Sequence, residues 1–217
     1  MSGRKRTAVL ISGRGSNLQA LIDAAAAKSY PAEIALVISN VPDAPGLERA
    51  SKADIPTRTI PHRAYASREM FDSAVDAVLR EFRIELICLA GFMRIFSGAF
   101  VRAWEGKLIN VHPSLLPTFK GTKVHAQVLG AGVRISGCTV HFVVSELDSG
   151  PIIAQAAVPV LPDDTEELLA ARTLGAEHKL YPLALRLLAE GRVRLEGGKT
   201  IFEGTSAAQG VLINPQE

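Results

Sequence analysis

Through its first half this chain alternates short unbroken apolar runs with segments whose apolar residues recur at helical spacing. Thr7 to Ile11, Ile34 to Ser39, Thr57 to Ile60, Leu86 to Ala90 and Lys107 to His112 read as strands. Leu18 to Lys28, Pro45 to Ala53, Ser67 to Phe82 and residues 98 to 104 read as the helices between them. Strands that are apolar on both faces need helices on both sides of their sheet, so these strands are predicted to be parallel. The alternation predicts an α/β fold, a Rossmann-like, mostly parallel twisted sheet flanked by helices. In the second half, Ile135 to Val144 and Pro151 to Val160 flank a short loop containing Asp148-Ser149-Gly150, which predicts an antiparallel extension of that sheet. Asp163-Asp164-Thr165 then caps a helical stretch from about Glu166 to Glu190, which Pro182 is expected to kink or divide. The Gly-rich tail after Gly197 predicts a short hairpin or a disordered end. With no repeat and no Pro/Ser-rich linker, residues 1–217 are expected to form a single domain: a Rossmann-like half over about 7–112, a second half over about 113–196, and a tail over 197–217.

The predicted strand ending at His112 carries polar residues where packing alone would not place them. Side chains alternate along a strand, so Asn110 and His112 share one face while Val111 points into packing. An amide can donate to a developing oxyanion, and an imidazole can exchange a proton at neutral pH. Pro113 holds His112 extended, because the residue before a proline is pushed out of the helical region. The pair suits acyl transfer, although Asn and His at strand ends also serve simply to satisfy the following turn.

Between the first strand and helix, Ser12-Gly13-Arg14-Gly15-Ser16-Asn17 forms a turn whose backbone N–H groups and helix dipole favour a phosphate. A dinucleotide fingerprint would need a third glycine where Leu18 stands and an acidic residue where the second strand ends in Ser39-Asn40, so NAD is disfavoured. No Gly-Lys-Ser/Thr follows, which removes the Walker pattern and leaves a phosphomonoester. Ser16 and Asn17 could add side-chain donors or cap the helix.

Composition narrows the partners. Lys and Arg total 24 against 22 acidic residues, giving +2, which offers no basic patch for nucleic acid. No apolar run approaches membrane-spanning length and the N-terminal residues lack a signal-type apolar region, so a cytoplasmic protein is expected. Cys88 and Cys138 stand 50 positions apart inside apolar runs, without metal-ligand spacing, and are expected to be reduced core thiols with no metal.

Taken together, SGRGSNLQALIDA, LAGFMRIFS, NVHPSLLPTFKG, HFVVSELDSGPII and EHKLYP resemble the phosphoribosylglycinamide formyltransferase family, folate-dependent enzymes of purine synthesis, over about Thr7 to Arg194. The resemblance implies a nucleotide half and a folate half, with 10-formyltetrahydrofolate as co-substrate and glycinamide ribonucleotide as acceptor. It implies a catalytic trio of Asn110, His112 and Asp148. Gly15, Ser16 and Asn17 would hold the substrate phosphate, and Glu177 the ribose hydroxyls. The folate would lie against Met93, Arg94, Ile95 and Phe96, against Asn110, and against the loop from Val144 to Asp148, bonded largely by main chain. Arg68 matches a family arginine near the acidic tail of the folate. His125 is implied only as a supporting residue, since Lys123 replaces a second histidine of some members, and His141 reads as structural. A cis Leu116-Pro117 bond is implied in the SLLP turn, and a homodimer stays open.

Three other readings stand beside this one. A formyltetrahydrofolate hydrolase shares the trio but usually carries an N-terminal regulatory domain and has no use for a phosphate loop. Methionyl-tRNA formyltransferase shares HPSLLP but appends an RNA-contacting domain, for which the tail is too short. A non-catalytic mononucleotide-binding module would use the glycine loop alone.

Overall fold

A computed structural model describes residues 3–206, 210 and 212–215. The Rossmann-like half alternates as its pattern predicts: β1 (Lys5–Ile11), α1 (Ser16–Ala25), β2 (Ala32–Ser39), α2 (Gly46–Lys52), β3 (Thr57–Thr59), α3 (Arg68–Glu81), β4 (Leu86–Leu89), α4 (Gly98–Ala103) and β5 (Leu108–His112). The second half adds α5 (Val124–Gly130), β6 (Ile135–Phe142), β7 (Ile152–Pro159), α6 (Glu166–Ala189), β8 (Val193–Glu196) and β9 (Lys199–Phe202). Seven strands form one sheet in the order β3-β2-β1-β4-β5-β6-β7. β1 to β5 are parallel, and β6 and β7 join antiparallel, as the loop at Asp148-Ser149-Gly150 implied.

The sheet is sandwiched between two apolar layers. Val9, Ile11, Cys88, Ile109 and Val111 pack on one face with Leu18 and Leu21 of α1 and Tyr181, Ala184 and Leu185 of α6. Ala8, Leu10, Ile87 and Leu108 pack on the other with Phe71, Val75 and Leu79 of α3 and Phe100 of α4. Both cysteines are free and buried. Ser67 and Thr165 cap α3 and α6 by accepting from Met70 N–H and Leu168 N–H.

The long helix departs from expectation. α6 runs through Pro182 undivided. Leu180, Tyr181, Ala184 and Leu185 are buried on both sides of the proline, and the Tyr30 hydroxyl donates to the Pro182 carbonyl at 2.6 Å, so packing outweighs one missing helical bond. α5 escaped the sequence pattern because it is only seven residues long and lies between glycines. β8 and β9 form a hairpin about Gly197-Gly198, in line with the expectation for the start of the tail; residues 207–209, 211, 216 and 217 lie outside the described residues. The Leu116–Pro117 bond is cis. Among the described residues no helix is long and apolar enough to cross a membrane.

Candidate active site

The chain leaves β1 toward β2 and β3 on one side, while β4 and β5 lie on the other, so the strand order reverses between β1 and β4. Open α/β sheets bind ligands in the crevice outside the strand carboxyl ends at such a reversal. Here a cavity of about 270 Å³ is lined by the loop from Ser12 to Asn17 and by Ala90, Gly91 and Met93. A larger one, about 360 Å³, is lined by Arg80, Arg83, Trp104 and Lys107 at the opposite end of the sheet, away from these residues.

Local backbone chemistry suits the first cavity to an anion. Gly15 sits in the left-handed region with φ 69° and precedes α1. A Cβ there would meet Gly46 Cα at 2.7 Å, so both the turn and the close approach require glycine. Among the described residues the N–H groups of Gly13 through Leu18 donate to no other group, and the first helical donor paired is Gln19 N–H, to the Gly15 carbonyl. Neither Ser16 nor Asn17 caps the helix by a side-chain bond. Asn17 turns inward instead: its Nδ2 donates to Glu177 Oε2 at 2.6 Å and its Oδ1 is buried without a partner.

On β5, Val111 is buried in the core while Asn110 and His112 share the other face, as alternation predicts. The loop after β6 folds back to bring Asp148 to the imidazole, with His112 Nδ1 3.5 Å from Asp148 Oδ2 and both side chains nearly covered. His112 Nε2 lies 2.9 Å from the Phe119 carbonyl, which only accepts, so Nε2 carries a proton and Nδ1 faces the carboxylate. Asp148 holds a left-handed backbone, φ 49°, a conformation aspartate tolerates better than most residues, and its Oδ2 accepts from Gly121 N–H at 2.9 Å. Asn110 Nδ2 lies 3.3 Å from His141 Nε2. Because His141 Nδ1 donates to the Phe142 carbonyl at 2.8 Å, Nε2 is the acceptor and the Asn110 amide is oriented by it. Burial holds the His141 pKa below the ordinary histidine value, which keeps that acceptor neutral.

Residues 5–185 match the family described as formyl transferase. The chain belongs to the formyl transferase family. It is 44% identical over 196 residues to the phosphoribosylglycinamide formyltransferase of Escherichia coli, covering 90% of this chain and 92% of that one. It is also 57% identical over 197 residues to the trifunctional purine biosynthetic protein adenosine-3 of Bos taurus, covering 90% of this chain but only 20% of that protein, so it spans about a fifth of such relatives. The crystal structure of glycinamide ribonucleotide transformylase 1 from Symbiobacterium toebii superposes with a TM-score of 0.90 at 46% identity, covering 93% of this chain and 95% of that one.

Against the formyl transferase resemblance, the remaining residues divide by exposure. Met93 and Ile95 are exposed, and Met93 N–H donates to Ser12 Oγ at 2.8 Å, joining this segment to the glycine loop. Arg94 is half-buried with an unpartnered Nε, Val144 is half-buried two residues after β6, and Arg68 is exposed at the first turn of α3. Phe96 offers the implied contact through its main chain. Its ring is buried in an aromatic stack, 5.3 Å from Phe92 and 4.0 Å from Phe100, so only its backbone is available to a ligand. His125 is half-buried on α5 with Nδ1 unpartnered, and burial lowers its pKa.

Glu177 enters the sequence reading through the resemblance alone. It is buried, and burial pushes its pKa above the usual carboxylate range while the Asn17 bond partly opposes the shift. A raised folded-state pKa means the carboxylate form weakens the fold, with no cost below the unfolded pKa and the full cost once pH exceeds the folded one. Glu177→Gln is therefore expected to raise Tm at pH 7 by about 2–4 °C, the shift about 1 kcal/mol produces in a chain of this size. The gain should vanish as pH falls below about 4. Thermal unfolding across pH checks this, and a lower Tm at pH 7 would contradict it.

Proposed function

We propose that this chain transfers the formyl group of 10-formyltetrahydrofolate to the glycyl amine of glycinamide ribonucleotide. The observation that carries the reading is the placement of a loop of free amides at the carboxyl end of β1 and of the Asn110–His112 face at the carboxyl end of β5, with only β4 between them in the sheet and Asp148 folded onto the histidine. A phosphate-bearing acceptor and a carbonyl donor need such a pairing of sites. The family membership and the names of the relatives support the same choice.

In this mechanism the amine nitrogen attacks the formyl carbon, giving a tetrahedral intermediate whose oxygen carries the negative charge. The free N–H of Asn110 donates to that oxygen, and a cationic His112 does so when its Nε2–H exchanges the Phe119 carbonyl for it, such donors being worth about 2.7–4 kcal/mol each. Asp148 stabilises the imidazolium across 3.5 Å and orders a water that takes the ammonium proton toward the folate nitrogen. The carbon–nitrogen bond to the folate then breaks, leaving tetrahydrofolate and the formylated ribonucleotide. The loop Gly15-Ser16-Asn17 binds the phosphate, Glu177 the ribose hydroxyls, and the segment Met93 to Phe96 with Arg68 and the loop Val144 to Asp148 the folate. We read residues 1–217 as one domain working in the cytoplasm.

Incubation with 10-formyltetrahydrofolate, with and without glycinamide ribonucleotide, tests the reading. Tetrahydrofolate is expected only when both are present. Formate release without the ribonucleotide would indicate the hydrolase, and no loss in either the binding module.

A further inference from the structure

A backbone loop binds an anion only if its carbonyls point elsewhere, since a carbonyl oxygen turned into the cavity would repel the negative charge that the N–H groups attract. The three carbonyls at the turn, those of Gly13, Arg14 and Gly15, each have a donor outside the cavity. Gly13 O accepts from Gly46 N–H at 3.0 Å, Gly15 O from Gln19 N–H at 3.0 Å, and Arg14 O from the Arg49 guanidinium Nε at 2.9 Å. The first two donors are backbone and exist whatever the side chains. The third is supplied by one side chain on α2, 35 positions away in sequence.

We propose that Arg49 is the positioning residue of the phosphate site, turning the Arg14 carbonyl outward and lending the loop a fixed positive charge. The inference rests on reading the loop as the phosphate site and assigns to it a residue outside the loop. Arg49 is half-buried, and its Cδ would lie 3.5 Å from a Cβ on Gly15, so its arm runs along the loop itself. Its Nη1 donates to Gln19 Oε1 at 3.3 Å. Gln19 is turned that way because its Nε2 donates to Asp23 Oδ1 at 2.8 Å. The neighbouring carboxylate on α2, Glu48, is paired with Lys52 at 2.7 Å, so Arg49 bears no ion pair with an acidic side chain of the described residues. Its charge is left to act on the loop.

Two substitutions separate the parts of this role. Arg49→Met removes the donor and the charge, while Arg49→Lys keeps the charge but loses the planar fork that bonds Arg14 O and Gln19 together. KM and kcat are measured for glycinamide ribonucleotide and for its dephosphorylated riboside, with ribose 5-phosphate binding followed by calorimetry. For Arg49→Met, KM for the ribonucleotide is expected to rise about tenfold, the weight of a hydrogen bond to a charged group, with kcat within about twofold. Arg49→Lys should recover part of the loss. The riboside and the formyl-folate should show equal KM in all three proteins, and ribose 5-phosphate affinity should fall in parallel with the ribonucleotide. An equal loss on riboside and ribonucleotide, or no loss on either, overturns the proposal. If the unaltered protein binds ribose 5-phosphate through Arg49 but does not formylate the ribonucleotide, Arg49's role stands and the acceptor assignment fails.

Discussion

His112→Ala and Asp148→Asn are each expected to lower kcat by about three orders of magnitude, the combined scale of a lost proton-handling group and a lost oxyanion donor. The two variants fail for different reasons. Alanine removes the cation and also strands the Phe119 carbonyl, which accepts from His112 Nε2 at 2.9 Å, so some instability accompanies it. Asparagine keeps size and tolerance of the left-handed backbone at position 148, where φ is 49°, and its amide oxygen can still accept from Gly121 N–H. Asp148→Asn therefore isolates the charge facing His112 Nδ1. Neither residue belongs to the glycine loop, so ribonucleotide affinity by calorimetry should change by less than about twofold in the folded protein. A kcat within about tenfold of the parent for Asp148→Asn would remove the carboxylate from the mechanism.

The architecture was legible because both-face apolar runs leave a strand few other fates, and the glycine loop because glycine is the residue that enters the left-handed region most readily. What the sequence hid is what only register reveals. Asn110 and His141 lie directly opposite on the antiparallel pair β5 and β6, and that pairing makes His141 the residue that orients the amide. Nothing in one strand predicts its register against another 31 positions on. Arg49 was hidden similarly, reaching from α2 to Arg14 in the turn between β1 and α1. Glu177 carries a signal in its helical spacing. Leu169, Thr173, Glu177, Leu180, Tyr181, Ala184, Leu185 and Leu188 are the buried residues of α6, and their three- and four-residue spacing sets the carboxylate on the apolar stripe. A charged residue on such a stripe marks either a buried partner or a ligand; here it has Asn17 and lies beside the proposed phosphate loop.

The second large effect is expected from a single methyl group, in Gly150→Ala. A Cβ built on Gly150 would fall on the Phe142 carbonyl oxygen and come within 2.8 Å of its carbon, with His141 Nδ1 at 3.3 Å. The two Phe142 atoms are backbone, held in the antiparallel ladder of β6 with the edge strand β7, where Phe142 N–H donates to the Pro151 carbonyl at 3.0 Å, so the severest clash has no flexible side chain to give way. Relief requires parting the start of β7 from the end of β6, at a cost of about 3 kcal/mol by the scale of overpacked interiors. In a chain of this length that corresponds to a Tm lower by about 6–12 °C. The same movement displaces Asp148, two residues before, and the His141 ring that orients Asn110. Activity should thus fall by more than about a hundredfold even below the transition, since misplacement of about 1 Å costs that much, while ribonucleotide binding at the distant glycine loop persists. Gly175→Ala is the control: that position lies within α6, with nothing inside 4 Å of a new Cβ and no positive φ. It should stabilise by about 0.5–1 kcal/mol. Equal melting temperatures for Gly150→Ala and the parent would mean that the loop carrying Asp148 is free to shift, and that the carboxylate is not held against His112 by the packing of β6 on β7.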